Sequence, residues 1–364
     1  MKKKNQGSVI GFFIIFIILL LIGGGIFVYW YLQSQEVDIP KFVGNFISAN
    51  QEEVVNQVEQ NVQNPLNNLN STSNDTVTVD GYYYQQLNNE EKAVYKALEQ
   101  NIENLKTGTY TIELGDRFSN ILEQENGSEQ LNTIYQNSLD AFTMDHPEIF
   151  YLDITKMIMV INTKTGLFNT TYDVQITKDS NLNYLIDGFQ NKQEVDQAIA
   201  LIEQVKSDIL SHATGTDYDK IKYVHDWLVE NVTYDETLTK PHIRDAYGTL
   251  VNKEAVCEGY AETFQMLMNE LNIPSIMIVG TGTNSEGQTE AHAWNYVQLE
   301  GKWYGVDTTW DDPIIIGGGR QTTQMKTKYL VKGSNAFNGT HYPTGQVSGV
   351  GKTFTYPALE SSDY

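Results

Sequence analysis

Residues 255–282 read AVCEGYAETFQMLMNELNIPSIMIVGTG, and residues 290–312 read EAHAWNYVQLEGKWYGVDTTWDD. The first block holds the only cysteine of the 364-residue chain, Cys257, and the second holds His292 and Asp307. A cysteine with a separated histidine and aspartate is the residue set of thiolate catalysis. Behind Cys257, the apolar Ala261, Phe264, Leu267, Met268 and Leu271 recur at helical spacing. Asn272-Ile273-Pro274 then stops the helix. Cys257 is therefore expected in the first turn. There the helix dipole favours thiolate over thiol, and backbone N–H groups without helical partners can bind an oxyanion.

Ser275 to Gly280 reads as a buried strand rich in β-branched residues. Ala291 to Glu300 and Lys302 to Trp310 read as a hairpin turning at Glu300-Gly301. That turn sets Trp294 opposite Asp307 and His292 opposite Thr309. Opposed residues share a face, as does every second residue of a strand. His292 and Asp307 then point the same way as diagonal neighbours, and a one-residue slip would separate them. In this arrangement Asp307 orients the imidazole, whose other nitrogen takes the proton of Cys257.

The strings AVCEGYAETF, EAHAWNYVQL and KWYGVDTTWDDP resemble the core of the transglutaminase-like superfamily, in its bacterial branch. So do YVHDWLVENVTYD (Tyr223 to Asp235) and AYGTLVNKEAVC (Ala246 to Cys257). Tyr329 to His341 resembles the family's closing strand and loop. The resemblance covers roughly the last 150 residues, the length of one ordinary domain. It implies an α+β, papain-like core, with a nucleophile helix packed on an antiparallel sheet. It also implies Cys257 as nucleophile, His292 as base and acid, and Asp307 as orienting group. Members of the family include crosslinking enzymes, deamidases, peptidases and inactive relatives.

Other residues carry weaker signals. Tyr247 lies ten residues before Cys257, where a phenol suits either an oxyanion donor or a core position. Trp294, beside His292, is a second candidate for the cleft or the oxyanion site. His225 sits on an amphipathic helix with Ile221, Val224, Trp227 and Leu228 and reads as structural. His341 falls in a loop and receives no role. Asp311 and Asp312 read as a solvated turn, because a hard-cation site needs six or more oxygens. No metal and no organic cofactor is called for.

A net charge of −22 disfavours nucleic acid and anionic membrane surfaces as partners. A lone thiol in an exported chain is a liability unless it is used, which singles out Cys257 again. In chain order, residues 1–7 carry Lys2, Lys3 and Lys4 and read as a cytoplasmic tail. Residues 8–32 are almost wholly apolar and read as one retained transmembrane helix, with Tyr29, Trp30 and Tyr31 at the outer interface. The lysines stay inside, so the bulk of the chain is expected outside the cell. Residues 33–80, rich in Asn, Gln and Ser, read as a stalk.

Residues 81–190 read as a small α+β domain, a spacer or a recognition and homodimer module. Its expected elements are helices over 88–105 and 128–144 and a hairpin of 157–162 with 167–177. Residues 191–364 read as the catalytic domain, led by helices over 193–212 and 218–232, the second capped by Asp217. The loops at 281–290 and 313–324 flank His292 and Asp307 and would build the cleft.

The expected function is that of a membrane-tethered cysteine acyltransferase. It would form a thioester with a protein glutamine and pass it to a lysine amine, or to water in deamidation. A cysteine peptidase with the same triad and a non-catalytic adhesion or scaffold module are the alternatives.

Overall fold

The computed structural model describes residues 81–167, 169–179, 183–312 and 322–364. The expected transmembrane helix and stalk lie outside these residues, as does most of the 313–324 loop. Among the described residues no helix is long and apolar enough to cross a membrane.

The first part begins with α1 (Asn89–Glu99), whose start is a capping box between Asn88 and Glu91. The helix expected over 88–105 is broken, and α2 (Ile102–Leu105) follows separately. The cause is Asn101, whose side-chain amide donates to the Ala97 carbonyl (2.8 Å) and competes with the helical ladder. Strand β1 (Ile112–Gly115), which alternation over four residues was too short to reveal, precedes α3 (Ser119–Leu122) and α4 (Gly127–Asp145). Strands β2 (Met157–Thr165) and β3 (Thr170–Lys178) form the expected hairpin, and β1 adds to the far side of β3.

The second part opens with α5 (Lys192–His212) and α6 (Asp217–Asn231). Thr216, not Asp217, caps α6, in a box with Asp219. Strand β4 (Thr233–Tyr234) pairs in parallel with β5 (Glu254–Ala255), which feeds directly into α7 (Cys257–Glu270). Between them, a π-helical turn at Gly248–Asn252 forms a strap under the start of α7. The strap fits because residue 259 is glycine: a Cβ there would meet Ile243 O at 2.8 Å and Thr249 Oγ1 at 2.9 Å.

Strands β6 (Ser275–Thr283), β7 (Thr289–Leu299) and β8 (Lys302–Val306) follow. After a short helix, α8 (Ser334–Phe337), strand β9 (His341–Pro343) closes an antiparallel sheet of order β8-β7-β6-β9. The β7–β8 turn is Glu300-Gly301, as expected, with Leu299 opposite Lys302 and Asn295 opposite Val306. Both turn residues have positive φ, +50° and +78°, the signature of a type I′ hairpin. Strand β8 ends at Val306 rather than Trp310, because Asp307 turns the chain by accepting the N–H groups of Thr309 and Trp310.

Residues 81–364 lie within one compact unit. Leu98 of α1 and Phe142 of α4 belong to the same buried cluster as Phe264, Leu267 and Val297. Gln265 of α7 joins the two parts: its side-chain amide donates to Met144 O (2.8 Å), and its oxygen accepts from Met277 N. Residues 81–190 and 191–364, distinct in the sequence reading, thus share one interior.

Candidate active site

Cys257 is the first residue of α7 and is half-buried. The residue before it, Val256, is extended and offers no side-chain cap. The N–H groups of the first turn are therefore left for an external acceptor. The Asn295 side chain donates to Ala261 O (2.9 Å) and pins α7 onto β7. That contact sets the thiol against the strand that carries His292.

His292 Nε2–H donates to Asp307 Oδ2 at 2.8 Å, and both residues are buried. Cys257 lies close enough to the imidazole to raise its proton affinity; Nδ1 is the nitrogen left to face it. The sequence-predicted three are thus brought together in the expected order. Burial disfavours charge on His292, but the carboxylate of Asp307 and the nearby Cys257 outweigh it and raise its proton affinity. Burial likewise opposes charge on Asp307. Its histidine neighbours and hydrogen bonds outweigh burial and hold it well below the usual carboxylate range.

A fourth residue joins these three. His341 Nε2–H donates to the same Oδ2 of Asp307, at 2.9 Å. The sequence assigned it a loop and no role; it opens β9 and is buried. Its signal in the sequence was faint, a histidine ending a stretch with Tyr329 and Phe337. The ligand-type atoms of His292, Asp307 and His341 lie within 4.8 Å of one another. Separations of 2.8 and 2.9 Å are those of hydrogen bonds, whereas two ligands on one tetrahedral Zn²⁺ sit roughly 3.3 Å apart, given bonds of about 2.0–2.1 Å.

Asp311 is fully buried, not part of a solvated turn. It accepts the N–H of Tyr329 and a hydrogen bond from His225 Nε2 (3.0 Å). His225, buried on α6, thereby ties that helix to the loop after Asp307, a structural role as expected. Asp312 accepts from Tyr260 OH (2.7 Å), a second tie between that loop and α7.

Trp294 is buried and Tyr247 half-buried, each packed among aromatic rings. Trp294 is 1% exposed and stacks on His292, with centroids 5.7 Å apart and planes at 22°. It is a wall behind the imidazole. The Tyr247 ring packs among Phe150, Phe189 and His242, a core cluster. A phenol near the thiol that the sequence did not single out is Tyr234. The β4–β5 pairing places it beside Ala255, two residues before the thiol. Burial pushes its pKa up to about 12, with smaller contributions from the charges of Cys257 and Glu290 and an opposing one from Arg244. It remains a hydrogen-bond donor throughout the neutral range. Arg244 pairs with Glu258, so the rim near Cys257 carries one cation and at least two carboxylates. The sequence signal for Tyr234 was present in VENVTYD, but only the parallel pairing brings it near the thiol.

Residues 203–308 match the Transglutaminase-like superfamily. Kyphoscoliosis peptidase of Mus musculus is 26% identical over 140 residues, 35% of this chain and 20% of its own length. The Homo sapiens protein of that name is 27% identical over 125 residues, covering 31% and 19%. The chain therefore spans about a fifth of the length of these curated relatives. Among solved structures, one described as a TGase aligns over 48% of this chain and 50% of that one, at 19% identity and a TM-score of 0.30. The periplasmic domain of TgpA from Pseudomonas aeruginosa aligns over 43% and 63%, at 15% identity and a TM-score of 0.23. The segment that carries Cys257, His292 and Asp307 thus lies within the match to the transglutaminase-like domain.

Proposed function

We propose that this protein is a cysteine acyltransferase acting on protein glutamine side chains. The observation that carries the reading is the position of His292, bonded on one side to Asp307 at 2.8 Å and with Cys257 as its neighbour on the other. In the first half-reaction, Cys257 Sγ attacks the carboxamide carbon. The oxyanion is met by the N–H groups of the α7 first turn and by the Tyr234 hydroxyl. His292 passes its proton to the departing ammonia, leaving a thioester. In the second, an amine attacks the thioester, His292 accepts the amine proton, and the thiol is released with an isopeptide product. Water in place of the amine gives deamidation. The carboxylates of Glu258 and Glu290 near the thiol support a cationic acceptor such as a lysine side chain.

We place the domain on the outer face of a cell membrane, on the strength of the apolar segment 8–32 and the lysines before it. Protein substrates are its proposed partners, and the sequence gives no sign of nucleic-acid binding. A peptidase is the second reading, favoured by the name of the curated relatives. The same thiolate and imidazole would cleave a peptide bond, with the amine of the new N-terminus as leaving group.

The test is to incubate the protein with a glutamine-rich protein and a fluorescent primary amine, following both label and ammonia. Cys257→Ala serves as the control. Label that depends on Cys257 is the expected result. Ammonia without label would move the assignment to deamidation, and new N-termini without either would move it to proteolysis. None of the three, with Cys257 inert to iodoacetamide, would leave the domain as an adhesion or scaffold module.

A further inference from the structure

Asp307 is bound by two histidines, and a triad requires one. We infer that His341 is a positioning residue for the His292–Asp307 pair, locking the carboxylate in the one orientation that aims His292 at Cys257. The inference rests on the reading that His292 acts on Cys257. It does not depend on which acyl acceptor is used.

The backbone explains how the two imidazoles meet. In the sheet, β6 lies between β7 and β9. His292 on β7 stands opposite Gly280, and His341 on β9 stands opposite Gly282. Residues 280 and 282 share one face of β6, and neither has a side chain to fill it. A Cβ on Gly282 would meet the Trp310 ring at 2.7 Å and His292 Cβ at 3.3 Å; one on Gly280 would meet the Trp294 ring at 2.9 Å. The two glycines are therefore the floor over which the histidines reach the same oxygen.

Asp307 has four acceptor positions, and all four are used. Oδ1 takes the N–H groups of Thr309 and Trp310, both at 3.0 Å. Oδ2 takes His292 at 2.8 Å and His341 at 2.9 Å. A carboxylate has no proton to give, so both imidazoles present Nε2–H to it. His341 Nδ1 lies 2.9 Å from Thr340 Oγ1, whose hydroxyl also lies 3.0 Å from the Phe337 carbonyl and has one proton for the two. The His341 ring is packed by Trp310 and Phe337, with centroids at 4.5 Å, and by Tyr329 at 4.9 Å and Trp294 at 5.0 Å. Trp310 also stacks on His292, at 4.9 Å and 25°. One aromatic box thus holds both rings. Burial keeps His341 below the usual histidine range, against the pull of Asp307 and with the help of His292 and Lys328. It acts as a neutral donor.

This arrangement does two things. It stops the Asp307 carboxylate from turning about its own axis. It also spends part of that carboxylate's charge on a second hydrogen bond, which moderates the grip of Asp307 on the His292 proton. Without the His341 N–H, Asp307 would turn more freely and bind the His292 imidazolium more tightly. His292 would then hold its proton to higher pH and present it to Cys257 less accurately.

The test compares His341→Leu, which fills the space without a donor, with His341→Gln, whose side-chain N–H reaches the same point. The readouts are the rate of iodoacetamide alkylation of Cys257, the ¹⁵N titration of His292 and the melting temperature. In His341→Leu, alkylation at neutral pH should slow by roughly 10-fold or more, and the His292 titration should move upward. His341→Gln should restore most of both. A folded His341→Leu with wild-type alkylation and an unmoved His292 titration would overturn the inference. So would a lowered melting temperature alone, or a glutamine variant no better than leucine. If the leucine variant does not fold, the ¹⁵N spectrum of the wild-type protein decides: a protonated Nε2 on His341 is required, and a bare Nε2 refutes the role. Alkylation uses neither glutamine nor amine, so failure of the transglutamination assay leaves this test intact.

Discussion

At the scale of the residue, the site depends on how a buried carboxylate and a buried imidazole alter each other. Asp307→Asn keeps the shape of the side chain but removes the charge that stabilises imidazolium. Turnover should fall by roughly 10²–10⁴-fold, less than the complete loss on Cys257→Ala, as kinetics of the labelling reaction will show. The stability consequence has a definite sign. The folded pKa of Asp307 lies below its unfolded value, so its contribution is present in full above about pH 4 and is lost as pH falls towards the folded value. The advantage of wild type over Asp307→Asn in urea denaturation should therefore be constant from pH 6 to pH 5 and shrink below pH 4. His292 is shifted the other way. Its contribution is full below about pH 6.5 and disappears only as pH rises through the raised folded value. ¹⁵N spectra at pH 7.5 should still show both of its ring nitrogens protonated.

At the scale of the element, the β7–β8 hairpin sets the register and α6 braces the loop beyond it. Glu300 and Gly301 close the turn with positive φ at both positions, which fixes Asn295 opposite Val306 and carries His292 and Asp307 onto one face. One residue inserted between Glu300 and Gly301 that slips β8 by one place would turn Asp307 to the opposite face. Activity should be lost, and the chemical shift of the His292 Nε2 proton should report the broken bond to Asp307. The brace is His225, whose Nε2 reaches Asp311 at 3.0 Å in a fully buried contact. His225→Leu removes that partner from a buried carboxylate. It should cost about 1–3 kcal/mol, read as a lower midpoint in denaturant.

At the scale of the whole molecule, residues 81–190 are part of the interior that supports the catalytic helix. Leu98 and Phe142 share a cluster with Phe264 and Leu267, and Gln265 spans from Met144 to Met277. A chain reduced to residues 191–364 would expose the apolar faces of α5 and α7 and leave Gln265 without its partner on α4. Such a fragment should lack a cooperative thermal transition, whereas residues 81–364 should show one by circular dichroism.

Much of this was written in local pattern. The periodicity behind Cys257 predicted α7, and the Glu300-Gly301 turn predicted the face shared by His292 and Asp307, because period and parity are properties of neighbouring residues. Tertiary structure alone decided the rest. Tyr234 comes beside Ala255, two residues before the thiol, through a parallel pairing with a strand twenty residues on, and His341 reaches Asp307 only because β9 adds to β6 across two glycines. Asp311 looked like a solvated turn because its partners, His225 and the N–H of Tyr329, are far away in sequence. The sequence by itself determined which residues could form the thiol, imidazole and carboxylate set, since their chemistry and strand parity are local. The packing of distant segments decided what surrounds that set, since contacts between them leave no repeating mark along the chain.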